Sequence, residues 1–136
     1  MENSFRQFLH TYLEVWRTSS LIELKDLISK EYQAREITGG EIVDFGYEES
    51  IKGWEEGFNF VKDNRAQWDL NEISILSLNE DEAMAILSAT LIVQGKNLET
   101  ANLFFQTFKK SGDNDWKLVR SYIEAGISNI DRMQTN

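Results

Sequence analysis

Residues 33–45 read Gln33-Ala34-Arg35-Glu36-Ile37-Thr38-Gly39-Gly40-Glu41-Ile42-Val43-Asp44-Phe45. Two runs with strand character flank Gly39-Gly40, a pair suited to a two-residue hairpin turn. So tight a turn fixes the pairing. Thr38 faces Glu41, Ile37 faces Ile42, Glu36 faces Val43, Arg35 faces Asp44 and Ala34 faces Phe45. Directly opposed residues share a sheet face. One face then carries Arg35, Asp44, Ile37 and Ile42, with the charges placed to pair. The other carries Ala34, Phe45, Val43 and Glu36, which sets a carboxylate among apolar neighbours.

Helical patterns lie on both sides of this hairpin. A first helix is expected over about residues 4–17, with Phe5, Phe8, Leu9, Tyr12, Leu13, Val15 and Trp16 on one side of the wheel. His10 falls opposite that stripe. Ser20-Leu-Ile-Glu23 has capping-box spacing, and Leu21, Leu24, Leu27 and Ile28 give a second helix to about residue 31. A third, over about residues 47–62, buries Tyr47, Ile51, Trp54, Phe58 and Val61. Its Gly53 and Gly57 lie one turn apart, where a backbone can approach a neighbour closely. From Trp68 onward the pattern is strand: about 68–78, 83–93, 98–109 and 115–126, separated by short polar turns. Helices first and strands later define an α+β protein with an antiparallel meander. Residues 83–93 are apolar on both faces. One face can cover the helices, and a second copy is the economical cover for the other.

Composition narrows the function. A chain of 136 residues suits one domain, spanning 1–136. Eight Phe, four Tyr and four Trp can fill a sizeable core. The absence of Cys excludes disulfides, thiolate zinc sites and a thiol nucleophile. A net charge of -9 repels phosphate backbones and anionic membranes, so neither nucleic acid nor membrane is an expected partner. The opening MENSFRQFLH is too polar for a signal peptide, and no apolar run is long enough to span a bilayer. A cytoplasmic protein is expected. One His cannot build a multi-histidine metal site, and no carboxylate cluster has ligand spacing, so no metal is expected. GxGxxG and Walker A patterns are absent, and no cofactor is expected; a flavin in an aromatic pocket would have no motif behind it.

The helix pair Tyr12-Leu-Glu-Val-Trp16 with Leu21, Leu24 and Leu27, the stretch Glu49-Ser50-Ile51-Lys52-Gly53-Trp54, and the closing Trp116-Lys-Leu-Val-Arg120-Ser-Tyr122 resemble the NTF2-like superfamily. That group includes SnoaL-like polyketide cyclases and ketosteroid isomerase. The resemblance covers nearly the whole chain. It implies a cystatin-like cone, in which three N-terminal helices pack on a curved, mostly antiparallel sheet around an apolar pocket. Arg120 and Tyr122 stand where the family often has two His residues.

The resemblance also suggests site residues. Tyr12 occupies the position of the isomerase's oxyanion-binding tyrosine, and Glu36 that of its catalytic carboxylate. Burial would make Glu36 a better base. The plainer readings are a core tyrosine with a satisfied hydroxyl, and a rim carboxylate or one paired with Arg120. Trp16, Trp54 and Phe58 are candidate pocket walls. Arg120 and Tyr122 alternate with Trp116 and Leu118, which puts them on the concave face. There Arg120 either clamps an anionic ligand group or pairs structurally with a carboxylate. For the isomerase's second acid, residues 98–109 offer only Glu99, near the strand end, with Phe104, Phe105, Gln106 and Thr107 where a pocket acid is wanted; Gln106 or Asn102 is a weaker donor. Steroid isomerisation therefore does not carry over. The expected function is a small apolar or aromatic ligand held in a cone-shaped pocket, with Glu36-based isomerase or dehydratase chemistry if the protein is an enzyme. The alternative is a non-catalytic binding or dimerisation module, in which the outer sheet face makes a homodimer.

Overall fold

The structure is a computed structural model that describes residues 3–128. Its elements are α1 (Asn3–Arg17), α2 (Leu21–Lys25), β1 (Ile28–Thr38), β2 (Glu41–Gly46), α3 (Tyr47–Asn64), β3 (Gln67–Asn79), β4 (Glu82–Val93), β5 (Lys96–Asn97), β6 (Thr100–Ser111) and β7 (Asp115–Ser128). The sheet runs β2-β1-β7-β6-β4-β3, with β5 paired to β4. All pairs are antiparallel except β1 with β7, which is parallel. The α+β architecture and the cystatin-like arrangement of helices on one sheet face follow the expectation from sequence.

The hairpin has the expected register at every pair from Thr38–Glu41 to Ala34–Phe45. Gly39 and Gly40 have φ of 57° and 85°, a left-handed pair whose twist matches that of the flanking strands. Arg35 donates to both carboxylate oxygens of Asp44, at 2.7 and 2.9 Å, on the outer face.

Two sequence expectations fail for identifiable reasons. The second helix stops at Lys25, and Ser20 makes no side-chain cap. Leu21, Leu24 and Leu27 mimic a longer stripe, but Ile28 instead pairs with Leu118, and Leu118 N–H donates to the Leu27 carbonyl at 2.9 Å. A sheet edge overrides local helix propensity there. In β7, register shifts between the pairs Phe108–Leu118 and Thr107–Arg120, leaving Val119 as an extra residue. Such a bulge reverses which side chains face inward. Trp116 and Leu118 are buried before it, Ser121 and Ile123 after it. Arg120 and Tyr122 therefore lie on the outer face rather than the concave one.

The core runs along α1. At one end Phe5, Tyr12, Phe108 and Trp116 fill the space between helix and sheet, with Phe5–Trp116 ring centres 5.0 Å apart and Tyr12–Phe108 5.2 Å. At the other end Trp16 meets Trp54 at 4.8 Å and Phe104 at 5.2 Å. Beyond Trp16 the packing opens. Among the described residues no helix is long and apolar enough to cross a membrane.

Candidate functional site

A cavity of about 580 Å³ lies between α3, the β1–β2 hairpin and the concave sheet face. Trp16, Trp54, Trp68 and Phe104 form an aromatic wall, with Phe45, Leu91 and Ile123 completing the apolar lining. Tyr32, Glu36, Ser50 and Gln106 supply polar points. The alternation along β1 explains two of them: Tyr32, Ala34 and Glu36 share the inward face. Glu36 is half-buried, and its Oε2 accepts from the Thr38 hydroxyl at 2.9 Å.

The candidates from sequence separate into three groups. Glu36, Trp16 and Trp54 line the cavity. Tyr12 and Phe58 lie behind its wall. Tyr12 is fully buried and donates to Gln106 Oε1 at 2.9 Å, while Phe58 packs beneath Trp54 and Trp68. Arg120 and Tyr122 point away from it. Arg120 pairs with Glu82 at 3.3 Å, not with Glu36, and the Tyr122 hydroxyl donates to Glu124 at 2.7 Å. An anionic clamp by Arg120 is thus not available to the cavity.

In the lining and behind it, hydrogen bonds join five elements. Tyr12 on α1 donates to Gln106 on β6, and the Gln106 amide N–H donates to Ser121 on β7 at 3.4 Å. Ser121 and Ser50 on α3 both hydrogen-bond the Tyr32 hydroxyl on β1. These bonds fix the Gln106 amide with its oxygen toward Tyr12. Removing the Tyr12 hydroxyl leaves that oxygen buried without a donor. Tyr12→Phe is expected to cost about 1–3 kcal/mol in chemical denaturation; an unchanged stability would mean that the hydroxyl is not part of the scaffold.

Burial pushes the Tyr32 hydroxyl up to about 12, and burial likewise raises Tyr12 well above the ordinary tyrosine value. Both are neutral donors near neutral pH. The raised values favour the protonated, folded state. Their stabilisation is complete below the unfolded tyrosine value of about 10 and is lost as pH rises toward about 12. Tyr32→Phe is expected to flatten the fall in stability over that window, read from urea midpoints against pH. An equally steep fall in the variant would contradict this assignment.

Sequence reasoning missed Tyr32 because the second helix was extended to residue 31. Ending that helix at Asp26 would have continued the strand alternation back from Glu36 to Tyr32. It also missed Trp68, whose Nε1 donates to Ser19 at 3.0 Å and whose ring lies against Gly57. Gly57 is thus the close approach anticipated for the two helix glycines. Gly53 faces open space at the cavity rim.

This is a cone-shaped α+β domain with a hollow at its open end, and solved structures share its shape. It is similar to an NTF2-like protein of unknown function from Pseudomonas putida, at 11% identity and a TM-score of 0.70, covering 94% of this chain and 88% of that one. A cystatin-like NTF2-like protein from Novosphingobium aromaticivorans matches with 14% identity, a TM-score of 0.67 and coverage of 98% and 87%. A protein from Xanthomonas campestris, described as a calcium/calmodulin-dependent protein kinase II association domain, matches with 15% identity, a TM-score of 0.64 and coverage of 89% and 84%. No protein-family model matches the sequence, and no curated protein is similar to it in sequence. The fold is the NTF2-like, cystatin-like fold.

Proposed function

We propose that this protein binds a small, largely apolar or aromatic molecule in the cavity at the open end of its cone. The observation that carries this reading is the open hollow of about 580 Å³ itself. Trp16, Trp54, Trp68 and Phe104 wall it, and Phe45, Leu91 and Ile123 complete an apolar lining with few polar points. A ligand with an aromatic body fills this hollow and buries its own apolar surface there. A thermal-shift screen of aromatic ketones and amides tests this: binders raise the midpoint with concentration. A midpoint that none of them moves would oppose the reading.

A second reading is catalytic. Glu36 lies on the cavity wall and would abstract a proton beside a carbonyl, in an isomerase or dehydratase reaction. With Tyr12 committed to Gln106 and Arg120 outside, the Gln106 amide and Tyr32 are the groups left to stabilise the oxyanion. Glu36→Gln would then abolish turnover of a substrate found by such a screen, and wild-type turnover in that variant would remove Glu36 as the base.

The outer sheet face is the proposed homodimer surface. Ile86, Phe105 and Tyr122 form one row across β4, β6 and β7, and Leu76 and Met84 lie beside it. Leu76 is 45% and Tyr122 40% exposed, so the sheet leaves an apolar patch uncovered. The likeness to a protein described as an association domain supports the same reading. Light scattering is expected to give a dimer that Phe105→Glu converts to monomer; a wild-type monomer would overturn it.

A further inference from the structure

We infer that the cavity selects an organic cation, an aromatic or alicyclic molecule bearing a protonated or quaternary amine, and rejects anions. This deepens the ligand-binding reading and rests on it. The lining contains no Lys, Arg or His among the described residues. It contains three carboxylates, Glu36, Asp44 and Glu49. The Asp44 side chain turns to the outer face, where it is paired at two points with Arg35. Among the described residues, Glu36 takes only the neutral Thr38 hydroxyl, and Glu49 only the Gly46 backbone N–H at 3.0 Å. Among the described residues Glu36 therefore has no ion-pair partner, while Glu49, exposed at the α3 edge, also borders a cleft lined by Lys25, Lys30 and Lys52.

The rest of the lining strengthens the same preference. Trp16, Trp54 and Trp68 stand together, and tryptophan has the most favourable ring face for a cation. Partial removal of water around these rings raises the strength of such contacts. The chain's net charge of -9 adds an attractive field for cations and a repulsive one for carboxylates and phosphates. Thioester carriers, nucleotides and fatty acids are thereby disfavoured. A carboxylate ligand would meet Glu36 with no Lys, Arg or His among the described lining residues.

Three probes of similar shape separate charge from shape: phenyltrimethylammonium, its neutral isostere tert-butylbenzene, and benzoate. Calorimetric titration of the whole chain at low ionic strength is expected to rank the cation at least about tenfold above the neutral isostere. Benzoate should not compete. Glu36→Gln should weaken the cation several-fold and leave tert-butylbenzene unchanged, and added salt should weaken the cation alone. Equal affinity for cation and isostere, or competition by benzoate, overturns the charge selectivity while leaving a ligand-binding cavity intact. Binding of none of the three overturns both the selectivity and the reading beneath it.

Discussion

Phe108→Ala is expected to lower the stability by about 3–5 kcal/mol, the range for truncating a fully buried aromatic residue. Phe108 is 0% exposed and touches the rings of Phe5, Phe8 and Tyr12 at 5.4, 5.5 and 5.2 Å. It is the sheet's contribution to the filled end of the cone, where α1 meets β6. Its loss leaves a void that neither rigid element can close, so the transfer and cavity costs add. Urea denaturation should show a lower midpoint with an unchanged slope. A loss below about 1 kcal/mol would mean that α1 does not pack on the sheet as described. The effect should not reach the cavity, which lies on the other side of Trp16.

Gly53→Trp is expected to abolish ligand binding without unfolding the protein. Gly53 lies on the exposed face of α3 at the cavity rim, and a Cβ there would meet no atom within 4 Å. An added indole can enter the hollow and cover the aromatic wall. In a helix interior tryptophan is favoured over glycine by about 0.5 kcal/mol, so folding should not suffer. Any cavity ligand must then displace a tethered competitor, and affinity should fall by at least about tenfold. Circular dichroism and thermal midpoints establish the fold; titration with a binder of the wild type reads the loss. Undiminished affinity in a folded variant would place the ligand elsewhere.

The hairpin was fully legible in the sequence. Gly39-Gly40 permits the left-handed turn, and the turn length then sets every pair and turns Glu36 inward. The order of elements was legible for the same kind of reason: a period near 3.6 on either side of the hairpin, and strand patterning with short turns after Trp68. The faces of β7 were not. The extra residue at Val119 carries no sequence mark, because Trp116, Leu118 and Ile123 are acceptable on either phase. A bulge is set by how β6 and β1 grip the strand, which is a tertiary fact. The parallel pairing of β1 with β7 was hidden likewise, since local pattern says nothing about partners ninety residues apart, such as Ile28 and Leu118. Tyr12 was placed correctly on the buried stripe, but the direction of its hydroxyl depends on Gln106, which only the assembled sheet supplies. Gly53 and Gly57 look alike in the sequence; one accommodates Trp68 and the other leaves a gap.

The cavity claim is tested most directly by the side-chain N–H signals of the four tryptophans. Trp16, Trp54 and Trp68 line the hollow, whereas Trp116 sits at the filled end, where its Nε1 donates to Ser4 at 3.2 Å. In an NMR titration with acetophenone, an aromatic ring with one acceptor oxygen, the first three signals should shift together and saturate. That of Trp116 should stay still. Movement of Trp116 in step with the others, or no movement of the three, would contradict the account.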